Sequence, residues 1–144
     1  MLGEYYALKD GNGIYIDKKL DELFNQKMNG FFIELGANNG ILQSNTFFLE
    51  KNRNWKGILI EPSLDNYKAC IINRPNSTCF NYACVSDNFN DNKIIGDFNL
   101  GNNPQSLMSS VNSSRQKGHG GINIKEIEVP CITLNKILDE IKPL

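Results

Sequence analysis

The sequence of 144 residues contains few of the residues that build metal centres, and its charges of the two signs nearly cancel. It has one histidine and four cysteines, and no two cysteines are spaced C-x-x-C, so no usual zinc-ligand pattern is present and we expect no metal site. Lys and Arg number 15 against 16 Asp and Glu, a formal net charge of -1. The chain therefore offers no polybasic surface for nucleic acid or for anionic lipid.

Long apolar runs are also missing. Runs such as Phe31–Ile33 and Ile58–Ile60 are far shorter than the roughly 18 apolar residues of a membrane span, so we expect none. The first residues lack a basic region followed by an apolar one, which argues against a secretory signal and favours the cytoplasm. In that reducing compartment the sequence predicts free thiols at all four cysteines: Cys70, Cys79, Cys84 and Cys131.

The composition is that of a packed domain. Hydrophobic residues make up 40% and charged residues 22%, and the length is typical of one domain of about 100–200 residues. Residues 1–144 are therefore interpreted as a single domain, in which residues 1–29 form an N-terminal extension and a helix. Asp17 is predicted to cap that helix, and its apolar face is predicted from helical spacing: Leu20, Leu23, Phe24 and Met28.

Strand and helix patterns alternate through the next part of the chain. Buried strands are predicted at 31–35, 58–60 and 78–85, with helices starting at Ser44 and Ser63 between them. This order predicts an α/β protein with a Rossmann-like, doubly wound parallel sheet. Further elements are predicted beyond it: an edge strand at 93–98, a long loop at 99–121, a strand at 126–131 and a helix capped by Thr133.

The most informative segment is the glycine-bounded loop Gly36–Gly40, which follows the first predicted strand. Glycine lets a ligand approach the main chain closely, and a helix starting after the loop would add free N–H donors. Glu61 ends the next strand, where a carboxylate can accept hydrogen bonds from both ribose hydroxyls of an adenosine cofactor. With Glu34 at the end of the first strand, these features favour an adenosine-cofactor site over an ordinary strand–helix turn.

The loop distinguishes among adenosine cofactors. A dinucleotide site with the motif G-x-G-x-x-G needs glycine where this chain has Asn38, and no P-loop lysine follows. S-adenosylmethionine (SAM) fits better, because it has no phosphate, its carboxylate suits backbone N–H donors, and its ammonium suits an acid such as Glu34. A nucleotide-binding Rossmann-like module is the weaker alternative.

Three motifs together indicate a family: E-L-G-A-N-x-G at residues 34–40, S-N-T at 44–46 and G-x-L-I-E-P at 57–62. In this combination the chain resembles the FkbM family of SAM-dependent methyltransferases. The resemblance covers roughly residues 30–141 and continues through Asn73-Arg74 and residues 81–86 and 129–134. It implies O-methylation of a hydroxyl on a sugar, a glycan or a similar small-molecule acceptor.

The resemblance also implies where the cofactor lies. The methionine part of SAM is expected against Gly36, Ala37, Asn38 and Gly40, with Glu34 steadying the loop. No residue is implied as a metal ligand.

The nucleoside part is expected beside the ends of the second and third strands. Glu61 is implied to hold the ribose, while Pro62 and Ser63 flank the adenine side. Asn81 and Ala83 are implied to border the adenine ring.

Asn45 and Thr46 are implied to begin the helix under the loop, either near the cofactor or as helix-start residues without a ligand. No catalytic base is assigned. His119, Asp87 and Asp97 are interpreted as exposed residues, and the stretch around Ser106, Ser109, Arg115 and Lys117 is a candidate acceptor loop.

Family members continue past the helix at 133–141 into a further core strand with an acidic segment. We therefore expect the N-terminal half of the methyltransferase fold, from a truncated reading frame or a split protein. An alternative function follows, that of a catalytically incomplete remnant or partner subunit. Its expected partners are a second copy of the chain or a complementing C-terminal fragment.

Overall fold

The structure is a computed structural model that describes residues 4–91, 93–99 and 124–141. Helices and strands alternate in the following chain order: α1 (Ile16–Leu23), β1 (Phe31–Leu35), α2 (Phe47–Arg53), β2 (Lys56–Ile60), α3 (Leu64–Asn73), β3 (Thr78–Phe80), β4 (Ala83–Val85), β5 (Lys93–Asn99), β6 (Ile124–Thr133) and α4 (Leu134–Glu140). Within these ranges no helix combines the length and the apolarity needed to cross a bilayer.

The strands form two small sheets. In the first, with order β1-β2-β3, both pairs are parallel, which confirms the predicted parallel pairing of the first three strands. In the second, with order β4-β6-β5, β4 is parallel and β5 antiparallel to β6. The architecture is mixed α/β and is compatible with a partial Rossmann-like fold.

The predicted third strand at 78–85 is wrong as a single element, because it divides into β3 and β4 in different sheets. The ladder with β2 ends where the Glu61 N–H donates to the Phe80 carbonyl at 3.0 Å. The Asn81 side-chain amide then donates to the carbonyls of Glu61 and Pro62, at 2.9 and 3.0 Å. A side chain thus replaces the main chain as the donor to the end of β2, and the strand leaves the first sheet.

One face of the first sheet packs on α2 and the N-terminal segment. Phe48 and Leu59 are fully buried there, and the Tyr5 ring stacks on Phe48 with centroids 4.4 Å apart. Gly57 is required by close packing, because a Cβ there would lie 2.3 Å from the Phe32 carbonyl oxygen.

The other face joins the two sheets. Ile58 and Ile60 of β2 pack with Ile132 of β6 and Ile137 of α4. The Thr133 hydroxyl accepts a hydrogen bond from the Lys136 N–H at 3.3 Å, which confirms the predicted cap of α4.

The neighbouring strand β1 has a different environment. Phe31, Ile33 and Leu35 alternate along it and are 56%, 38% and 55% exposed. The described residues therefore leave this apolar stripe uncovered.

Helix α1 corrects two predictions. It begins after Tyr15, so Asp17 lies in its first turn, and Asp17 and Asp21 are its buried residues whereas Leu23 is 71% exposed. Asp17 accepts hydrogen bonds from the backbone N–H groups of Tyr6 and Ala7, at 2.6 and 3.2 Å. Asp21 has an ion pair with Arg53. These partners offset the cost of burying two carboxylates.

Helices α2 and α3 also differ in detail from their sequence patterns. Thr46, not Ser44, is the N-cap of α2, although the Ser44 hydroxyl accepts from the N–H groups of Thr46 and Phe47. Ser63 is the N-cap of α3, as predicted. Within α3, Cys70 is buried, whereas three other apolar or aromatic side chains remain partly or largely exposed: Leu64, Tyr67 and Ile71.

Candidate functional site

The ends of β1 and β2 lie side by side. Because the two strands are parallel, with Leu35 paired to Ile60, the residues that follow them emerge at the same edge of the sheet. The Asn38 N–H donates to Glu61 Oε2 at 2.7 Å. The glycine loop and the acid 23 positions from Asn38 are therefore neighbours, as an adenosine-cofactor site requires.

Glu61 is buried and held by two main-chain donors and by the Asn66 side chain. One carboxylate oxygen accepts from the Asn38 N–H and the other from the Ser63 N–H at 2.9 Å. Burial raises the pKa of Glu61 above its ordinary value of 4.5, although these hydrogen bonds oppose that shift. A carboxylate oxygen accepts more than one hydrogen bond, so Glu61 retains acceptor capacity for a ligand hydroxyl.

Glu34, at the end of β1, is bound by the segment that follows the loop. Its carboxylate accepts from the Ser44 hydroxyl at 2.9 Å, the Thr46 hydroxyl at 2.5 Å and the Asn45 N–H at 3.0 Å. Arg74 lies 3.6 Å from the same carboxylate. Both oxygens of Glu34 thus fasten the loop to the strand.

Arg74 lies at the centre of this network of hydrogen bonds and ion pairs. Its side chain has no solvent exposure, and its guanidinium donates to Glu50 at 2.8 Å, to the Gly40 carbonyl at 2.8 Å and to the hydroxyls of Ser44 and Thr46. Asn73-Arg74 is part of the family resemblance, but the sequence predicted no role for Arg74. The one available signal was an arginine just after an amphipathic helix, which by itself does not indicate burial.

The main-chain donors of the loop are engaged within the chain, so the expectation of free N–H groups for a ligand is wrong. The N–H groups of Gly36 and Ala37 both donate to the Ile60 carbonyl. The Asn38 and Asn39 side-chain oxygens fold the loop on itself by accepting from three further N–H groups: those of Asn39, Ile41 and Leu42. Helix α2 begins only at Phe47, beyond the reach of the loop.

One donor of the loop is left over. The side-chain nitrogen Nδ2 of Asn38 is buried and has no hydrogen-bond partner in the described part of the chain. Asn38 also has a left-handed backbone, with φ of 51°. A buried polar group of this kind is costly unless a ligand or water satisfies it.

The two glycines that bound the loop have different surroundings. Both have positive φ, 69° at Gly36 and 83° at Gly40. A Cβ on Gly36 would meet no atom of the described residues within 4 Å, whereas a Cβ on Gly40 would lie 2.7 Å from Arg74 Cγ. Gly36 therefore faces open space, and Gly40 is packed against the buried arginine.

The remaining predicted residues divide between the loop and the rest of the fold. Pro62, Ser63 and Asn81 are half-buried beside Glu61, where Asn81 bridges to the β2 end. Ala83 lies in β4 and packs with Val129 in the second sheet. Asn45 is exposed, and its N–H is bound to Glu34.

The other candidate residues either lie away from the site or fall outside the described part of the chain. Asp87 is exposed and accepts a hydrogen bond from Asn135. Several candidates lie outside the described residues: His119, Ser106, Ser109, Arg115 and Lys117. Of Asp97 only the backbone, within β5, is described. In the described ranges no group of three or more His, Cys, Asp or Glu residues is arranged to hold a metal ion.

The chain is an α/β protein with a glycine loop beside a buried acid, and these lie at the carboxyl ends of adjacent parallel strands, the edge at which proteins with open parallel sheets bind ligands. A family model described as Methyltransferase FkbM domain matches residues 34–143. The chain belongs to this family, as the motifs predicted. Searches of curated proteins and of solved structures gave no match.

Proposed function

We propose that the chain binds SAM at the joined ends of β1 and β2 and serves O-methylation of a hydroxyl on a sugar, a glycan or a similar small molecule. Membership of a methyltransferase family implies a methyl donor. The observation that carries the proposal is the 2.7 Å hydrogen bond between the Asn38 N–H and Glu61, because it joins the glycine loop to the acid.

Glu61 is the proposed ribose ligand. Its two oxygens are already oriented by the N–H groups of Asn38 and Ser63, so a ribose would meet a carboxylate of fixed position. Hydrogen bonds from the two ribose hydroxyls would compensate the burial that raises the pKa of Glu61. Pro62, Ser63 and Asn81 would lie toward the adenine.

Asn38 is the proposed ligand of the methionine part. Its unpartnered Nδ2 is a buried donor, which suits the carboxylate of SAM. Gly36 supports this placement, because the space that its missing side chain leaves open admits a ligand against the main chain. Ala37 and Gly40 would shape the loop, and Glu34 would hold it rather than contact the ammonium.

SAM supplies a methyl group on a sulfonium, which an acceptor oxygen displaces in line. The chain's contribution is to hold the cofactor and align the acceptor, and alignment can supply up to about 7–11 kcal/mol of the barrier. A general base typically adds about 10²–10⁴-fold. No base is assigned among the described residues.

Titration calorimetry of the full chain with SAM, and separately with NAD, tests the cofactor. We expect SAM to bind, and Glu61→Ala to weaken it by about 1–3 kcal/mol, or about 5- to 150-fold. Asp65→Ala is the matched control, because Asp65 is an exposed acid in the first turn of α3. Binding of NAD without SAM would overturn the cofactor, and an unchanged affinity in Glu61→Ala would overturn the ribose ligand.

We also propose that the chain acts as a homo-oligomer through β1 rather than as an isolated remnant. Antiparallel pairing of two β1 strands about Ile33 would set Phe31 of each copy opposite Leu35 of the other, so the exposed stripe is self-complementary. An open strand edge with an apolar face favours such pairing.

Light scattering coupled to size exclusion tests the association. We expect Ile33→Lys to give a monomer at concentrations where the unmodified chain is a dimer. Ile72→Lys is the control, since Ile72 is 78% exposed on α3 and outside the stripe. A monomer in the unmodified chain that binds SAM would overturn the oligomer while leaving the cofactor proposal standing. A complementing fragment would instead appear as activity gained on mixing.

A further inference from the structure

Two of the four cysteines face each other beneath the loop. Cys70 belongs to α3 and Cys79 to β3, the strand that follows this helix, and their sulfur atoms lie 3.6 Å apart. Both are free thiols. A contact of this length is within reach of a disulfide, in which the sulfurs are about 2.05 Å apart.

The two thiols differ in access. Cys70 is fully buried in the core of the first sheet, whereas Cys79 is only partly buried. A small oxidant can therefore reach Cys79 first. Cys84 and Cys131 lie in the second sheet and have no such sulfur contact among the described residues.

The electrostatics point the same way. The hydrogen bond with Cys70 lowers the pKa of the Cys79 thiol, and the positive charge of Arg74 adds to this. The same hydrogen bond, together with burial, raises the pKa of Cys70. The pair thus loses its first proton from Cys79, and the thiolate is the form that reacts with oxidants.

We propose that Cys70 and Cys79 form a reversible disulfide in response to hydrogen peroxide, and that this bond alters the hold of α3 on the glycine loop. The Cys79 thiolate attacks one peroxide oxygen, which breaks the O–O bond, releases hydroxide and leaves a sulfenic acid. The Cys70 sulfur then attacks Cys79 Sγ, and its proton leaves with the hydroxyl as water. The balance is two thiols and one peroxide giving one disulfide and two waters, and a thiol reductant reverses it.

The loop is expected to respond because the last residue of α3 and the residue that follows it hold the loop at two points just beyond Cys70. Asn73 Nδ2 donates to the Asn39 carbonyl and Arg74 Nη1 to the Gly40 carbonyl, both at 2.8 Å. Gly40 itself packs on Cys70, since a Cβ there would lie 3.0 Å from the sulfur. Forming the bond closes the sulfur gap by about 1.5 Å and draws Cys70 toward Cys79. We expect this pull on α3 to lengthen and weaken the two hydrogen bonds to the loop.

Peptide mapping by mass spectrometry tests the bond in the full chain. After peroxide treatment and alkylation of free thiols, we expect a Cys70–Cys79 linked peptide that a thiol reductant removes. Cys84 and Cys131 should stay alkylated. Four free thiols after peroxide, irreversible oxidation of Cys79 without a link, or a link to Cys84 or Cys131 would each overturn the proposal.

Variants and hydrogen exchange test the rest. Cys79→Ser should abolish the linked peptide, whereas Cys84→Ser should leave it unchanged. If Cys70→Ser fails to fold, the peptide map of the unmodified chain still tests the bond. In the oxidised chain we expect the amides of residues 39–42 to exchange at least several-fold faster than in the reduced chain. Equal exchange rates would overturn the effect on the loop. None of these measurements depends on SAM binding.

Discussion

Glu34 and Glu61 stand at the ends of neighbouring parallel strands, and the groups that surround them differ in kind. Side-chain hydroxyls, an N–H group and the buried guanidinium of Arg74 satisfy Glu34. Glu61 is held by two backbone N–H groups and by the side-chain amide of Asn66, and no ion pair to it occurs within the described ranges.

The difference separates a structural carboxylate from one available to a ligand. A charge neutralised by a buried arginine belongs to a network that fails if one member is removed. A charge held by neutral dipoles alone is less well compensated, and the raised pKa of Glu61 expresses that cost. Glu34 therefore fixes the segment around the loop, whereas Glu61 has the surroundings expected of the proposed ribose ligand.

The largest expected effect comes from removing the cation at the Glu34 end. Arg74→Leu leaves Glu34 and Glu50 buried without their partner, so we expect a loss of about 3–5 kcal/mol in the free energy of unfolding. Urea unfolding followed by circular dichroism measures it. Lys68→Leu, at an exposed position on the same helix, should change stability by less than about 0.5 kcal/mol. A loss below 1 kcal/mol for Arg74→Leu would mean that the network contributes little.

Substitutions of Gly36 and Gly40 compare the open end of the loop with the end that packs on Arg74. Gly40→Ala forces a Cβ against Arg74 in addition to a strained positive φ, so we expect a loss of about 3 kcal/mol. Gly36→Ala has the same strain without the crowding, so about 1–2 kcal/mol is expected. The same unfolding assay compares them. Equal losses would contradict the assignment of Gly40 to packing and Gly36 to the open side.

Removing each carboxylate charge in turn should separate stability from binding. Glu34→Gln weakens several hydrogen bonds to a charged acceptor, so we expect about 1.5–3 kcal/mol of lost stability. Glu61→Gln should cost less than about 1 kcal/mol of stability, because lost hydrogen-bond strength is offset by removal of a buried charge. Calorimetry should find the reverse order for SAM affinity. If Glu34→Gln lowers the SAM affinity more than Glu61→Gln does, the two roles are exchanged.

The smallest effect is a dependence of stability on pH. The pKa of Glu61 is raised in the folded chain, so the folded state holds the proton more tightly than the unfolded state. The contribution of Glu61 to the free energy of unfolding is therefore largest below pH 4.5 and falls as the pH rises toward the folded-state pKa. The free energy of unfolding of the unmodified chain, minus that of Glu61→Gln, should therefore fall as the pH rises across this range. A difference that rises with pH would contradict a raised pKa of Glu61 in the folded chain.

The sequence predicted the parts of the site that depend on neighbouring strands. Strand β1, the loop and the end of β2 follow from apolar runs and glycines, and parallel pairing then brings Glu61 beside the loop. Arg74 was beyond such reasoning, because its burial depends on two acids from other elements, Glu34 and Glu50.

Two errors have the same origin. Helical spacing counts apolar side chains, yet α1 buries Asp17 and Asp21, since their partners come from the N-terminal segment and from Arg53. The strand predicted at 78–85 is mostly apolar, and its one amide residue, Asn81, divides it through contacts with the end of β2. Both features depend on contacts with residues distant in the sequence, and a local sequence pattern carries no information on such contacts.

The chain has a single tryptophan, Trp55, just before β2, and it packs under Gly30 and donates from Nε1 to the Lys27 carbonyl at 2.7 Å. The five residues of β2 separate Trp55 from Glu61, so the two lie about 20 Å apart along the strand direction. The tryptophan fluorescence thus comes from the end of the sheet opposite the glycine loop. The fluorescence of Trp55 therefore reports, without a label, whether the protein is folded. A nucleoside bound beside Glu61 would not contact this indole.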